Sequence, residues 1–159
     1  MKFIFDSREK DNGHIKRWFD RKGLEYEVRK LDVGDYMMEG KPGLVIDRKK
    51  SLDELATNLL NRSDRARFWR EVRRAREQGI RLIVLCEHGH GIQNIHAVKN
   101  WKSDYSRVTG HSLMNEMFRV HISYGVEFLF TDRRHMAKRI LELLTEETTC
   151  ETLTESLTR

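Results

Sequence analysis

The segment GDYMMEGKPGLVIDRKK, residues 34–50, constrains the fold more than any other stretch. Residues 34–38 read as a short strand, EGKPG as a turn, and residues 44–49 (LVIDRK) as the returning strand of a hairpin. Four further strands are expected before and after it. They are residues 3–6 (FIFD), residues 25–31 (EYEVRKL, which alternate) and the apolar run 81–86 (RLIVLC), with a last strand at 126–130. Helical patterns lie between them. Ile15, Trp18 and Phe19 share a face over residues 14–22, and Gly23 follows as a natural cap. A helical stretch runs from Ser51 to about Gln78 with a break near Asn61–Asp64, and further helices cover 111–124 and 133–144. Residues 88–110 read as a loop with a short helix. The order predicts an α/β fold with a central mixed β-sheet flanked by helices on both faces.

The chain has 159 residues, 38% hydrophobic and 35% charged, which suits one domain with a packed core. The domain is expected over residues 1–146, with a mobile tail at 147–159. A formal net charge of +5 suits an anionic partner such as nucleic acid without proving one. The two cysteines, Cys86 and Cys150, do not suggest a disulfide framework. Neither a signal-peptide core nor a membrane-spanning run is present, so a soluble cytoplasmic protein is expected.

Asp47 and Lys49 stand two apart on a predicted strand, so alternation places them on one face. If the hairpin closes, Asp35 comes near Asp47 across the sheet. Two carboxylates and a lysine then converge, a set suited to phosphodiester hydrolysis. Aspartates are hard oxygen ligands for Mg²⁺ or Mn²⁺. The metal polarises a phosphate oxygen and lowers the pKa of bound water. The lysine positions that water or neutralises the transition state. Asp-x-Lys alone is a common tripeptide, and by itself it reads as a strand end emerging into solvent.

The wider pattern resembles the signature of XPF-type endonucleases: Gly-Asp, a hairpin, Glu-Arg-Lys, three residues and Asp. Here it runs through Gly34, Asp35, Asp47, Arg48, Lys49 and Asp53. The opening FDSREK, with Asp6, Arg8 and Glu9, and the phrase VRKLDVGDY resemble the same family, as does the later GVEFLFTD. The resemblance implies a restriction-endonuclease-like fold of the PD-(D/E)XK superfamily. It also implies Mg²⁺ or Mn²⁺ held by Asp35 and Asp47, with Lys49 completing the catalytic core. Asp6 and Asp53 would be supporting acids, and Arg48 would contact phosphate or order the site. Asp53 reads equally as a helix N-terminal acid, and Glu9 reads first as a surface acid. Asp47 stands where the family usually has Glu, an exchange the wider superfamily accepts. The helix-hairpin-helix domain that many members carry is not seen, so DNA would be gripped by this domain's own surface or with a partner. A stand-alone domain of this size suggests a bacterial, phage or archaeal protein.

Seven arginines lie between Arg62 and Arg76. An apolar stripe of Phe68, Trp69, Val72 and Ala75 docks that helix, and Arg67, Arg70 and Arg74 share an exposed face. Beside a nuclease motif, these arginines are expected to bind phosphates, and Arg62 or Arg65 to enter the site. The alternative is a solvated face partly balanced by Asp64 and Glu71. Cys86, His88, His90 and His96 match no structural zinc spacing. Trp101, Lys102, Tyr105 and Arg107 mix aromatic and basic residues, read first as a semi-buried loop and second as a base-stacking surface. Ile140, Leu141, Leu143 and Leu144 read first as core and second as a homodimer surface.

Two functional classes follow. One is a metal-dependent endonuclease acting on branched or flapped DNA. The other is a non-catalytic DNA-binding or dimerisation module of the same fold that needs a partner. The near-complete acid set favours the enzyme.

Overall fold

The computed structural model describes residues 1–89 and 91–146. His90 and the expected tail at 147–159 lie outside the described residues. In chain order the elements are β1 (Lys2–Asp6), α1 (Gly13–Arg21), β2 (Glu25–Arg29), β3 (Tyr36–Met38), β4 (Lys41–Lys49), α2 (Leu52–Leu60), α3 (Arg62–Glu77), β5 (Arg81–Glu87), α4 (Gly110–Tyr124), β6 (Glu127–Thr131) and α5 (Met136–Thr145). A 3-10 turn at His96–Asn100 supplies the short helix expected in the long loop.

The strands form one sheet in the order β2-β1-β3-β4-β5-β6. β3 runs antiparallel to both of its neighbours, and every other pair is parallel. This is the mixed sheet anticipated from the order of elements. β4 begins at Lys41, earlier than expected, because Lys41 already pairs with Met38 of β3, while its pairing with β5 starts only at Leu44.

Alternation along β4 feeds two cores. Val45 joins Leu82, Val84 and Cys86 under α2, α3 and α4, while Ile46 joins Phe3, Phe5, Ile83 and Leu85 under α1 and α5. Asp47 and Lys49 therefore follow Val45 to the α2–α4 side, and Arg48 follows Ile46 to the α1–α5 side. Ile140, Leu143 and Leu144 of α5 are buried in the second core with Leu141 packed at its edge, so this apolar face is covered by the chain's own sheet. The break between α2 and α3 falls at Asn61. Its side chain caps α3 by accepting from the Ser63 N–H at 3.2 Å and the Asp64 N–H at 3.5 Å.

Gly34, just before β3, has φ 66°, a left-handed backbone. A Cβ there would strike Val45 Cγ1 and come within 2.9 Å of the Ile46 carbonyl oxygen. Gly34→Ala is expected to cost about 2–4 kcal/mol from strain and overlap together. Urea denaturation measures this, and an unchanged midpoint would contradict it.

Candidate active site

Asp35 lies at the foot of β3, wedged between β1 and β4. Its N–H donates to the Ile46 carbonyl at 2.8 Å, and its own carbonyl accepts from the Asp6 N–H at 2.7 Å. Three strand ends are thus bonded side by side, and Asp6, Asp35 and Asp47 gather at one edge of the sheet. The Arg48 N–H donates to Asp35 Oδ2 at 2.8 Å and orients the carboxylate. Asp47 and Lys49 are both buried. Lys49 Nζ lies 3.0 Å from Asp47 Oδ2 and donates to Asn58 Oδ1 of α2 at 3.3 Å. Asp6, Asp35, Asp47 and Lys49 open into one cleft, whose other wall carries Arg67, Glu71 and Arg74 of α3.

Two acids read from sequence as surface charges belong to this cluster. Glu71 reaches down from α3 and accepts the Gly34 N–H on Oε1 at 2.6 Å. Desolvation in the cleft, then the charge of Asp47, pushes its carboxyl up to about 7. Glu9, in the loop after β1, is enclosed beside Asp35. Burial raises its pKa, and its hydrogen bond to Arg48 only partly offsets this. The Asp35 carboxyl is itself pushed well above the usual carboxylate range, first by desolvation and then by Asp47 and Glu9 as like charges. Burial works to lower the Lys49 pKa, but Asp47 and Asp35 carry it above its ordinary value. Lys49 therefore stays an ammonium at neutral pH. A carboxylate spaced from Arg67 and Arg74 by one helical turn is the signal in the sequence that marks Glu71.

The remaining predicted residues divide. Asp6 lines the cleft but is engaged in holding loops. It accepts from Arg8 Nε at 3.0 Å and from the Leu31 N–H at 2.8 Å. The Arg48 guanidinium has no exposed surface. It pairs with Glu9 at 2.6 Å and Glu87 at 3.1 Å behind the sheet edge, which orders the site and turns it away from phosphate. Asp53, in the first turn of α2, accepts the Ser103 hydroxyl and pins the long loop, away from the cleft. Arg67 and Arg74 face the cleft, and Arg70, Arg73 and Arg74 line the adjoining groove with Glu77. Arg65 instead pairs with Glu116 of α4 at 3.3 Å, and Arg62 is exposed at the start of α3 outside the cleft lining. Cys86 is buried, and burial pushes its thiol up, against a zinc role.

The donor set fits a hard divalent cation. Asp47 Oδ2 is buried against the Lys49 ammonium at 3.0 Å, and two carboxylates with raised pKa values, Asp35 and Glu71, line the same cleft. Among the described residues no three His, Cys, Asp or Glu side chains already converge on a single point. The fit is therefore to an ion that keeps several waters and takes one or two protein carboxylates, the habit of Mg²⁺.

The family described as ERCC4 domain matches the chain over residues 5–144. Among solved structures, XPF from Aeropyrum pernix superposes with a TM-score of 0.68 at 20% identity, covering 91% of this chain and 63% of that one. A second structure of XPF from Aeropyrum pernix, in complex with DNA, gives 0.67 at 19% identity, covering 90% and 62%. The chain thus spans less than two thirds of the length of these relatives, and at such identity the likeness shows the fold. No curated protein matches the sequence. Among the described residues no helix is long and apolar enough to cross a membrane.

Carbon-detected NMR titration of Glu71 is expected to give a midpoint near 7, and a midpoint at the ordinary 4.5 would contradict the enclosed geometry. An unfolded chain releases this proton near 4.5 and the folded one near 7, so its contribution to stability declines as pH rises across that window. Arg48→Met would leave Glu9 enclosed without its cation and Glu87 with Arg133 at 3.5 Å in place of the closer pair. It should cost about 3–5 kcal/mol in urea denaturation at neutral pH, whereas a loss under about 1 kcal/mol would mean that the pairs do not hold the site together.

Proposed function

The chain belongs to the ERCC4 domain family of DNA nucleases, and from that premise we propose that it is a divalent-metal-dependent endonuclease cutting branched or flapped DNA. The observation that carries the reading is the convergence of three strand ends, which sets Asp35, Asp47 and an ammonium at Lys49 in one cleft rimmed by Arg67 and Arg74.

Asp35 and Asp47 would hold Mg²⁺ or Mn²⁺ with waters completing the shell. When bound, such an ion polarises a phosphate oxygen and lowers the pKa of coordinated water. Lys49, fixed as an ammonium, acts as a donor to the phosphoryl oxygens as charge develops on them, and is unsuited to act as a base. Arg67 and Arg74 hold phosphates at the rim, and Arg70 and Arg73 extend the basic track along the next groove. Asp6 and Arg48 keep the acids in register, and Asp53 keeps the long loop against α2. DNA affinity should therefore fall steeply with salt.

The test is cleavage of labelled flap, fork, four-way junction and plain duplex DNA with Mg²⁺, Mn²⁺ or EDTA. Cutting of the branched forms with either metal, abolished by EDTA, is expected. Asp47→Ala should lose more than the about 10–100-fold typical of outer-shell changes while still binding DNA. Binding without cutting by the wild type would instead indicate a non-catalytic module that needs a partner, and equal cutting by Asp47→Ala would sink the site assignment.

A further inference from the structure

We infer that Glu71 is a positioning residue that ties the phosphate-binding arginines of α3 to the turn that aims Asp35. The inference rests on the nuclease reading for its consequence, and on the geometry of α3 for its substance. Glu71 lies four residues after Arg67 and three before Arg74, so the three side chains form one stripe along the helix, and all three face the cleft. Its Oε1 holds the Gly34 N–H at 2.6 Å. Gly34 immediately precedes Asp35, has a left-handed backbone, and leaves no room for a Cβ against Val45. Its N–H is thereby directed out of the strand ladder and toward α3.

One rigid helix therefore carries both contacts. About one turn, a rise of roughly 5.4 Å, separates the carboxylate that grips the turn from the guanidinium on either side. Apolar packing sets α3 in place, and phosphates seated on Arg67 and Arg74 are thereby held in fixed relation, through Glu71, to Gly34 and the Asp35 carboxylate. Asp35 is bonded to β1 and β4 through its main chain, so the tether holds the preceding turn against a residue that the sheet already fixes. Arg70 and Arg73, on the neighbouring groove, bind along the same helix but do not flank Glu71 on this stripe.

The experiment compares wild type, Glu71→Ala and Glu71→Gln by steady-state cleavage of one branched DNA with Mg²⁺, and by hydrogen exchange at the Gly34 amide. Glu71→Ala should lower kcat about 10-fold or more with KM within about twofold, because misplacement of a reacting group acts on the chemical step. Gly34 exchange should quicken by a similar factor. Glu71→Gln keeps an acceptor oxygen and should restore both values to near wild type. If Glu71→Ala does not fold, Glu71→Asp, one methylene short of Gly34, should show the same losses. The inference is overturned if Glu71→Ala cuts like wild type, if the change falls on KM alone, if Gly34 exchange is unaltered, or if Glu71→Gln is as impaired as Glu71→Ala. If the wild type cuts no DNA, the nuclease reading fails, and Gly34 exchange in the same variants still decides whether the tether exists.

Discussion

Asp35 is held by its main chain on both sides and by its carboxylate from a third direction, and the site follows from that. The N–H goes to Ile46, the carbonyl takes the Asp6 N–H, and Oδ2 takes the Arg48 N–H. β3 is only three residues long, though Tyr36 and Met38 are buried in the core. Bonded between β1 and β4, it inherits the register of the whole sheet. The same bonds that make the sheet continuous therefore bring the Asp35 and Asp47 carboxylates to one cleft.

The arrangement carries an electrostatic cost. Glu9, Asp35, Asp47 and Glu71 crowd into a poorly solvated space, and three of them have raised pKa values. Two cations offset the crowding from opposite sides of β4. Arg48 does so from the rear through Glu9 and Glu87, and Lys49 from the cleft beside Asp47. Adjacent residues on a strand point to opposite faces, so Arg48 and Lys49 serve different faces although they are neighbours in sequence. The charge left over faces the cleft, where a divalent cation would relieve it. A fold selected for stability alone would have little use for such a cluster, whereas a phosphodiester site depends on one.

Most of the fold was legible in the sequence because its signals are local. The alternation at residues 44–49, the break at Asn61 and the helical stripes of α1 and α3 all belong to short windows. The core acids were legible for the same reason, since Asp47 and Lys49 need only strand periodicity, and Asp35 only a closed hairpin. The rest depended on docking. Glu71 sits in an arginine-rich run, and its place in the cleft follows from how α3 packs through Phe68, Val72 and Ala75. Glu9 enters the site because buried Arg48 holds it, a contact across 39 residues. Asp53 does stand in the first turn of α2, as one of its two readings had it, but its hydrogen bond to Ser103, 50 residues away, was not legible locally. Arg65 carries the same charge as Arg67, yet its position on the helix turns it to Glu116.

The most direct test of the central claim, that the strand-end acids form a divalent-cation site, is paramagnetic broadening by Mn²⁺ of assigned backbone amides. Substoichiometric Mn²⁺ should selectively broaden the amides around Asp35, Asp47 and Lys49 in the wild type, and Asp47→Asn should remove that broadening while leaving the rest of the spectrum in place. Broadening that centres elsewhere, or that persists unchanged in Asp47→Asn, would contradict the account.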